Sequence, residues 1–171
     1  MAIREILTIP DPVLRDVCAP VETIDDGVQA LIDDMFDTMY DAPGIGLAAI
    51  QIGVLSRVVT IDVSKGETPP NPMVLINPEI VSTSGDPVVH EEGCLSIPDY
   101  YEEIARPEKC VARFTDREGN PQEIEAEGLL AYCIQHEVDH LNGVLFIDYL
   151  SRLKKQLVMR KFTKAKRKAM A

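Results

Sequence analysis

The apolar positions change period several times along the chain, and each change marks an element. Ile3, Ile6, Leu7 and Ile9 form a short apolar arm, ended by Pro10 and Pro12, which break any regular structure. Val28, Leu31, Ile32, Met35, Phe36 and Met39 then recur three or four residues apart. That spacing predicts a helix from about Ile24 to Asp41, opened by Thr23 and Asp26 as a capping box and stopped by Pro43. The glycine-rich stretch from Gly44 to Gly53 follows, and its small residues admit a ligand or a second backbone at close range. β-Branched Val58, Val59, Ile61 and Val63 predict a strand from Arg57 to Val63, and Lys65 to Pro72 reads as an exposed loop. Further short strands are expected at Val74 to Ile76, Ile80 to Thr83 and Val88 to His90. Glu91 to Pro98, with Gly93 and Pro98 inside it, is expected to hold no long regular element. Cys110 to Thr115 and Gln122 to Ala126 read as two strands joined by a turn at Arg117-Glu118-Gly119-Asn120.

A second helical pattern begins at Leu129 and stops at Gly143. Leu129, Cys133, His136 and His140 share one side of it, and Leu130, Ile134, Val138 and Leu141 another. Apolar residues on more than one side predict a buried helix, with Gly143 placed to end it in a left-handed conformation. Leu145, Phe146 and Ile147 return to the core, and a last helix from about Ser151 to Lys168 is expected to bury Leu153, Leu157 and Phe162. The fold class is α+β: short, mainly antiparallel strands around a buried central helix, with one helix near each end. No repeat or linker divides the pattern, so residues 1–171 are expected to form a single domain, with 150–171 as its C-terminal helix.

Charge modifies this picture at one end. Residues 1 to 149 hold 8 basic and 28 acidic residues, whereas all nine Lys and Arg after Tyr149 have no acidic neighbour in sequence, for a net charge of −11. A basic tail on an acidic body points to a polyanionic partner, with a solvated helix face as the plain alternative. No apolar run approaches the roughly 20 residues that cross a bilayer, and the first residues do not read as a signal peptide. A soluble, cytoplasmic protein with no membrane partner is expected. Cys18, Cys94, Cys110 and Cys133 are irregularly spaced and form no disulfide framework.

The chemistry lies in Gln135-His136-Glu137-Val138-Asp139-His140. Histidines four apart on a helix lie on one face and can reach one metal ion, and Glu137 flanks that face as a proton acceptor for an activated water. The plain alternative is a buried helix with hydrogen-bonded histidines. A catalytic site of this type needs a third ligand. After His140 there is no His, Cys or Glu, and Phe146 stands where the longer metalloprotease pattern would place its third histidine. The donor must come from upstream, from His90, Cys94, Cys133 or a carboxylate. Cys133 reads as a buried residue and His90, ending a β-like run, as a packed or solvent-facing one. Cys94 lies in a glycine-flanked loop where a thiolate can be aimed, which favours it.

Three segments together carry a resemblance. Gly44-Ile45-Gly46-Leu47-Ala48-Ala49-Ile50-Gln51, Glu92-Gly93-Cys94-Leu95-Ser96 and the helix motif resemble, in order, the three motifs of peptide deformylases. The resemblance implies removal of the formyl group from N-terminal formyl-methionine of nascent peptides. It implies Cys94, His136 and His140 as ligands of one divalent metal ion, ferrous iron in the cell, with zinc, nickel or cobalt able to replace it in purified protein. Glu137 would move the proton, and the Gln51 amide and Leu95 N–H would face the oxyanion. Ile45, His90, Leu129, Tyr132 and Cys133 match the walls of the methionine pocket, Gly46 a peptide-facing backbone site, and Glu92 a carboxylate behind the ligands. Asp99 to Glu103 departs from many members, which carry an arginine near Tyr101 that helps hold the peptide. The basic C-terminal helix implies docking on the ribosome. A metallo-endopeptidase is the competing expectation, and a metal-stabilised binding module without catalysis a second.

Overall fold

A computed structural model describes residues 2–64 and 69–170. Five strands form one antiparallel sheet in sequence order: β1 (Gly46–Ala48), β2 (Val58–Ile61), β3 (Met73–Cys94), β4 (Ile97–Thr115) and β5 (Pro121–Glu127). Helix α1 (Asp26–Asp41) precedes the sheet, α2 (Leu129–Leu141) follows it through the single residue Gly128, and α3 (Arg152–Met170) ends the chain. Of the loop expected from Lys65 to Pro72, residues 65–68 lie outside the described residues, and 69–72 has no regular structure.

The strands β1 and β2 and the first residues of β3 are apolar on both faces because a helix covers each. Along β2, Val58 packs with α1 and Thr60 lies against Met39 of that helix, whereas Val59 and Ile61 join the residues of α2. Ile76 and Leu75 of β3 divide in the same way. Period-two alternation therefore sends successive side chains into two different cores. Helix α2 touches all five strands and buries Ala131, Ile134, Val138 and Leu141. Fully burying a large aliphatic side chain is worth about 1.5–3 kcal/mol, so this helix is held by packing on every side.

Several local expectations are corrected. The N-cap of α1 is Asp25, whose carboxylate accepts the Val28 N–H, and not Thr23. Asp25 sits at the boundary residue, so its short side chain reaches the free amide of the first turn. The three short strands expected between Val74 and His90 are one long strand, β3, and β4 begins at Ile97 instead of Cys110. Register shifts between Ile76 and Glu79, Ile80 and Ser82, and Ser84 and Pro87 break the alternation that reveals a strand. The segment Glu91 to Pro98, expected to be irregular, is the end of this hairpin: Cys94 pairs with Ile97 across the two-residue turn Leu95-Ser96. A strand and a 3-10 turn, Ala49–Ile52, also occupy the glycine-rich segment.

In α3, Val158 is buried and Met159 and Phe162 are partly so, but Leu153 and Leu157 are exposed. The helix is turned so that the Val158–Phe162 stripe meets Phe146 and Ile147, which leaves the Leu153–Leu157 side outward. Lys155 pairs with Asp148 at 2.8 Å and Lys154 with Glu102 at 3.5 Å, so two of its cations are tied to the acidic body.

The turn at Gly119 and the end of α2 agree with the sequence pattern. Gly143 has φ +75°, and a Cβ there would lie 2.4 Å from the Arg15 carbonyl oxygen. Gly143→Ala should therefore combine left-handed strain with a backbone clash and lower stability by about 2 kcal/mol or more. Urea denaturation measures this; a loss under about 0.5 kcal/mol would show that the Arg15 segment yields freely.

Candidate active site

Two elements bring the proposed ligands together. The 3.6-residue period of α2 stacks His136 and His140, and the tight turn closing the β3–β4 hairpin presents Cys94 to them. One ligand atom each of Cys94, His136 and His140 lies within 4.8 Å of the others, and Cys94 Sγ is 3.3 Å from His140 Nε2. Among the described residues this is the only such His, Cys and carboxylate cluster found. Cys133 is buried, its thiol is directed at the Ile45 carbonyl at 3.9 Å, and burial pushes its pKa well up, so it stays a neutral thiol. His90 also lies apart from the cluster.

Glu92, expected as a carboxylate behind the ligands, is buried. Its Oε1 accepts from Arg106 Nη2 at 2.7 Å and from His136 Nδ1 at 2.5 Å. Its Oε2 accepts from Arg106 Nε at 2.9 Å and from His90 Nε2 at 2.9 Å. Burial pushes the carboxyl pKa up, but the Arg106 and His136 hydrogen bonds and charges outweigh it and hold Glu92 well below the usual carboxylate range. With Nδ1 of His136 engaged, its Nε2 is the nitrogen free for a metal.

The residues fit a cation on their own terms. Burial by itself discharges an imidazole, and His140 is held well below the ordinary histidine value. Around His136 the Glu137 charge and the hydrogen bonds of Cys94 and Glu92 outweigh burial and push its pKa well above the ordinary histidine value. A proton retained in a cluster of soft donors is one that a divalent ion would displace. Glu137 Oε1 and His140 Nδ1 are buried without a hydrogen-bond partner among the described residues. Burial pushes Glu137 up to about 7. One thiolate and two imidazoles suit zinc or ferrous iron.

Two further motifs close on this centre. Gln51 is buried, not a surface amide; its Oε1 accepts the Ala48 N–H at 2.9 Å, so Nε2 is the donor, directed at Ser96 Oγ at 3.0 Å and Cys94 Sγ at 3.7 Å. Leu95 follows Cys94 in the hairpin turn, and its side chain lies over Gly44. Gly46 packs on Glu137 so closely that a Cβ there would be 2.6 Å from Glu137 Oε2 and 2.9 Å from Cys133 Sγ. Gly44, Gly46, Gln51, Cys94 and Leu95 line a cleft of about 480 Å³, with His136 and Glu137 in its wall. Ile45, Gly46, His90, Glu92, Leu129, Tyr132 and Cys133 all line it as well. His140 does not line it.

Arg106, Ser96 and Tyr149 were missed by sequence reasoning. Arg106 is only 4% exposed, and its third nitrogen, Nη1, reaches Asp139 Oδ2 at 3.1 Å, which also accepts from the Tyr149 hydroxyl at 2.7 Å. It follows buried Ile104 at the two-residue spacing of one strand face, but as a charged residue it gives no sequence signal of burial. Ser96 belongs to the Glu92–Ser96 motif, yet its contact with Gln51 depends on the hairpin turn.

Comparison with known proteins gives the same assignment from several directions. The family model for polypeptide deformylase matches residues 3–156. A peptide deformylase of Afipia carboxidovorans is 64% identical over 165 residues, covering 96% of this chain and 96% of its own. One of Rhizobium meliloti is 59% identical over 165 residues, covering 96% and 95%. Among solved structures, a peptide deformylase from Legionella pneumophila superposes with a TM-score of 0.90 at 52% identity, covering 99% of this chain and 98% of that one. The Ehrlichia chaffeensis enzyme in complex with actinonin gives a TM-score of 0.92 at 41% identity, covering 98% and 99%.

Replacing Arg106 with leucine would leave Glu92 buried with histidine donors alone. A stability loss of about 3–5 kcal/mol is expected near neutral pH. The pKa of Glu92 is depressed in the folded protein, so its contribution is present above the ordinary carboxylate pKa and lost as pH falls below it. The gap between wild type and Arg106→Leu should therefore narrow below about pH 4. Denaturant titrations at pH 7 and pH 3 compare the two; a gap of equal size at both would contradict the ionised Glu92.

Proposed function

The chain belongs to the polypeptide deformylase family, and from that premise we propose how its own residues carry out the family's reaction. The enzyme is a metal-dependent hydrolase that removes the N-formyl group from the formyl-methionine of newly made polypeptides and releases formate. Cleavage of internal peptide bonds is not favoured. In the reading proposed here, Cys94, His136 and His140 hold one divalent ion. The observation that carries it is the convergence of their ligand atoms within 4.8 Å, beside a buried Glu137 with an unpartnered oxygen. Ferrous iron is the ion proposed for the cell, with zinc, nickel or cobalt taking its place in purified protein. When bound, it lowers the pKa of water and polarises the formyl carbonyl.

Glu137 then accepts the proton of the attacking water and delivers it to the leaving amine. Its place against Gly46 keeps the carboxylate in the cleft wall. Gln51 donates from Nε2, and Leu95 from its backbone N–H, toward the oxygen that gains charge in the transition state. The bond from Ala48 to Gln51 Oε1 supports this, because it fixes which end of the amide is the donor. The methionine side chain fits between Ile45, His90, Leu129, Tyr132 and Cys133, where a thioether beside an aromatic ring gains a favourable contact. Gly46 lies on β1, an outer strand of the sheet, so an extended peptide can run along that edge. Tyr101, exposed at the mouth over Gly93, replaces the cationic contact expected of many members.

Residues 1–171 act as one catalytic domain in this reading. Among the described residues no helix is long and apolar enough to cross a membrane, and we place the enzyme in the cytoplasm. The exposed cations of α3 dock it weakly on the ribosome through phosphate contacts.

Glu137→Gln should lower turnover about 10²–10⁴-fold while metal content stays at one ion per chain. Formate release from a formyl-Met peptide, paired with metal analysis of an anaerobic preparation, is the test; cleavage of an unformylated internal peptide bond instead would move the assignment to an endopeptidase. Reversing Lys161, Lys164 and Lys168 to Glu should abolish co-sedimentation with ribosomes at low salt while hydrolysis of free peptide continues. Unchanged co-sedimentation would remove α3 as the docking element.

A further inference from the structure

His90 is the one histidine outside the ligand cluster, and it does more than line the cleft. It lies two residues before Glu92 on β3, so both side chains point to the same face of the sheet. Its ring stacks on Tyr132 of α2, with centroids 4.1 Å apart and planes 11° apart. This stack aims Nε2 at Glu92 Oε2, 2.9 Å away. Glu92 has four donors in all: two from Arg106, one from His136 on Oε1, and one from His90 on Oε2. The carboxylate accepts from His90, so His90 Nε2 carries the hydrogen.

Resting on the reading of His136 as a metal ligand, we propose that His90 is a positioning residue of the metal centre. By donating to Glu92 it fixes the carboxylate that orients His136, and it ties the wall of the methionine pocket to the ligand set. Without that donor, Oε2 retains only Arg106 Nε, and the tilt of the carboxylate is set by the Arg106 fork alone instead of by donors on both of its flanks. The His136 ring follows, because its Nδ1 is bonded to the other oxygen of the same group. Partners one step behind a ligand typically change metal affinity by about 10–100-fold, and His90 acts through such a partner.

Two substitutions separate the hydrogen bond from the ring packing. His90→Phe keeps a ring on Tyr132 and removes the donor, and His90→Gln gives up the ring but keeps an N–H at similar reach. Co²⁺ affinity is measured against a competing chelator, with the visible absorption of bound Co²⁺ reporting the ligand geometry. The expected result is about tenfold weaker binding and an altered spectrum for His90→Phe, and binding within about threefold of wild type for His90→Gln. Wild-type affinity in His90→Phe, or equal weakening in both variants, would overturn the proposal. Should His90→Phe fail to fold, His90→Leu takes its place in the comparison. The underlying reading fails separately: it does so if wild type gives no thiolate–cobalt absorption, or if that absorption survives Cys94→Ser.

Discussion

The structure depends on one buried carboxylate. An ionised acid removed from water costs several kcal/mol unless opposite charge and hydrogen bonds meet it on every side. Glu92 meets that condition through Arg106 and two histidines, one from its own strand and one from α2. Because the partners come from β3, β4 and α2, satisfying the charge also docks the hairpin against the helix. The docking brings Cys94 within reach of His136 and His140.

The same constraint explains why the site's small residues are where they are. Helix α2 is packed on nearly every side, so its polar face has to be received by something narrow enough to leave Glu137 and His136 in a cleft. Gly46 does so on one side, where any side chain would strike Glu137. On another, Ser96 and Gln51 meet in a hydrogen bond that joins the hairpin turn to the glycine-rich segment. The apolar N-terminal arm braces both, since Leu7 N–H bonds the Gln51 carbonyl and Ile9 N–H bonds that of Ser96. Stability and chemistry thus use the same contacts, and a change in the hairpin register would be felt at the ligands.

Electrostatics divides the molecule into two parts with different tasks. The body carries all the acidic residues, including Glu91, Asp99 and Glu137 around a cleft with no Lys or Arg among its lining residues. The last helix carries nine basic residues and is anchored to the body chiefly by the Val158–Phe162 stripe and the Lys155 pair with Asp148. Cations kept on a separate, largely solvated element leave the cleft's field intact.

Much of the site was legible because it is local. His136, Glu137 and His140 fall at helical spacing within one element, and the 3.6-residue period alone places them on adjacent faces. The α1 stripe, the Gly119 hairpin turn and the Gly143 helix end were readable for the same reason, since each depends on neighbours a few residues apart. Cys94 was favoured by elimination, and the motif resemblance supported it, but its approach to His140 requires the β3–β4 hairpin to close. The bulges of that hairpin hid two long strands as short ones, because each extra residue inverts which side chains face inward. Arg106, fourteen residues from Glu92, had no sequence signal for the burial of its charge; only strand pairing brings it under the carboxylate. The sequence by itself therefore determined which groups can do the chemistry and which lie together along a helix. The tertiary structure alone decided which charges are buried and which nitrogen of each histidine is free, because those depend on register between strands distant in the chain.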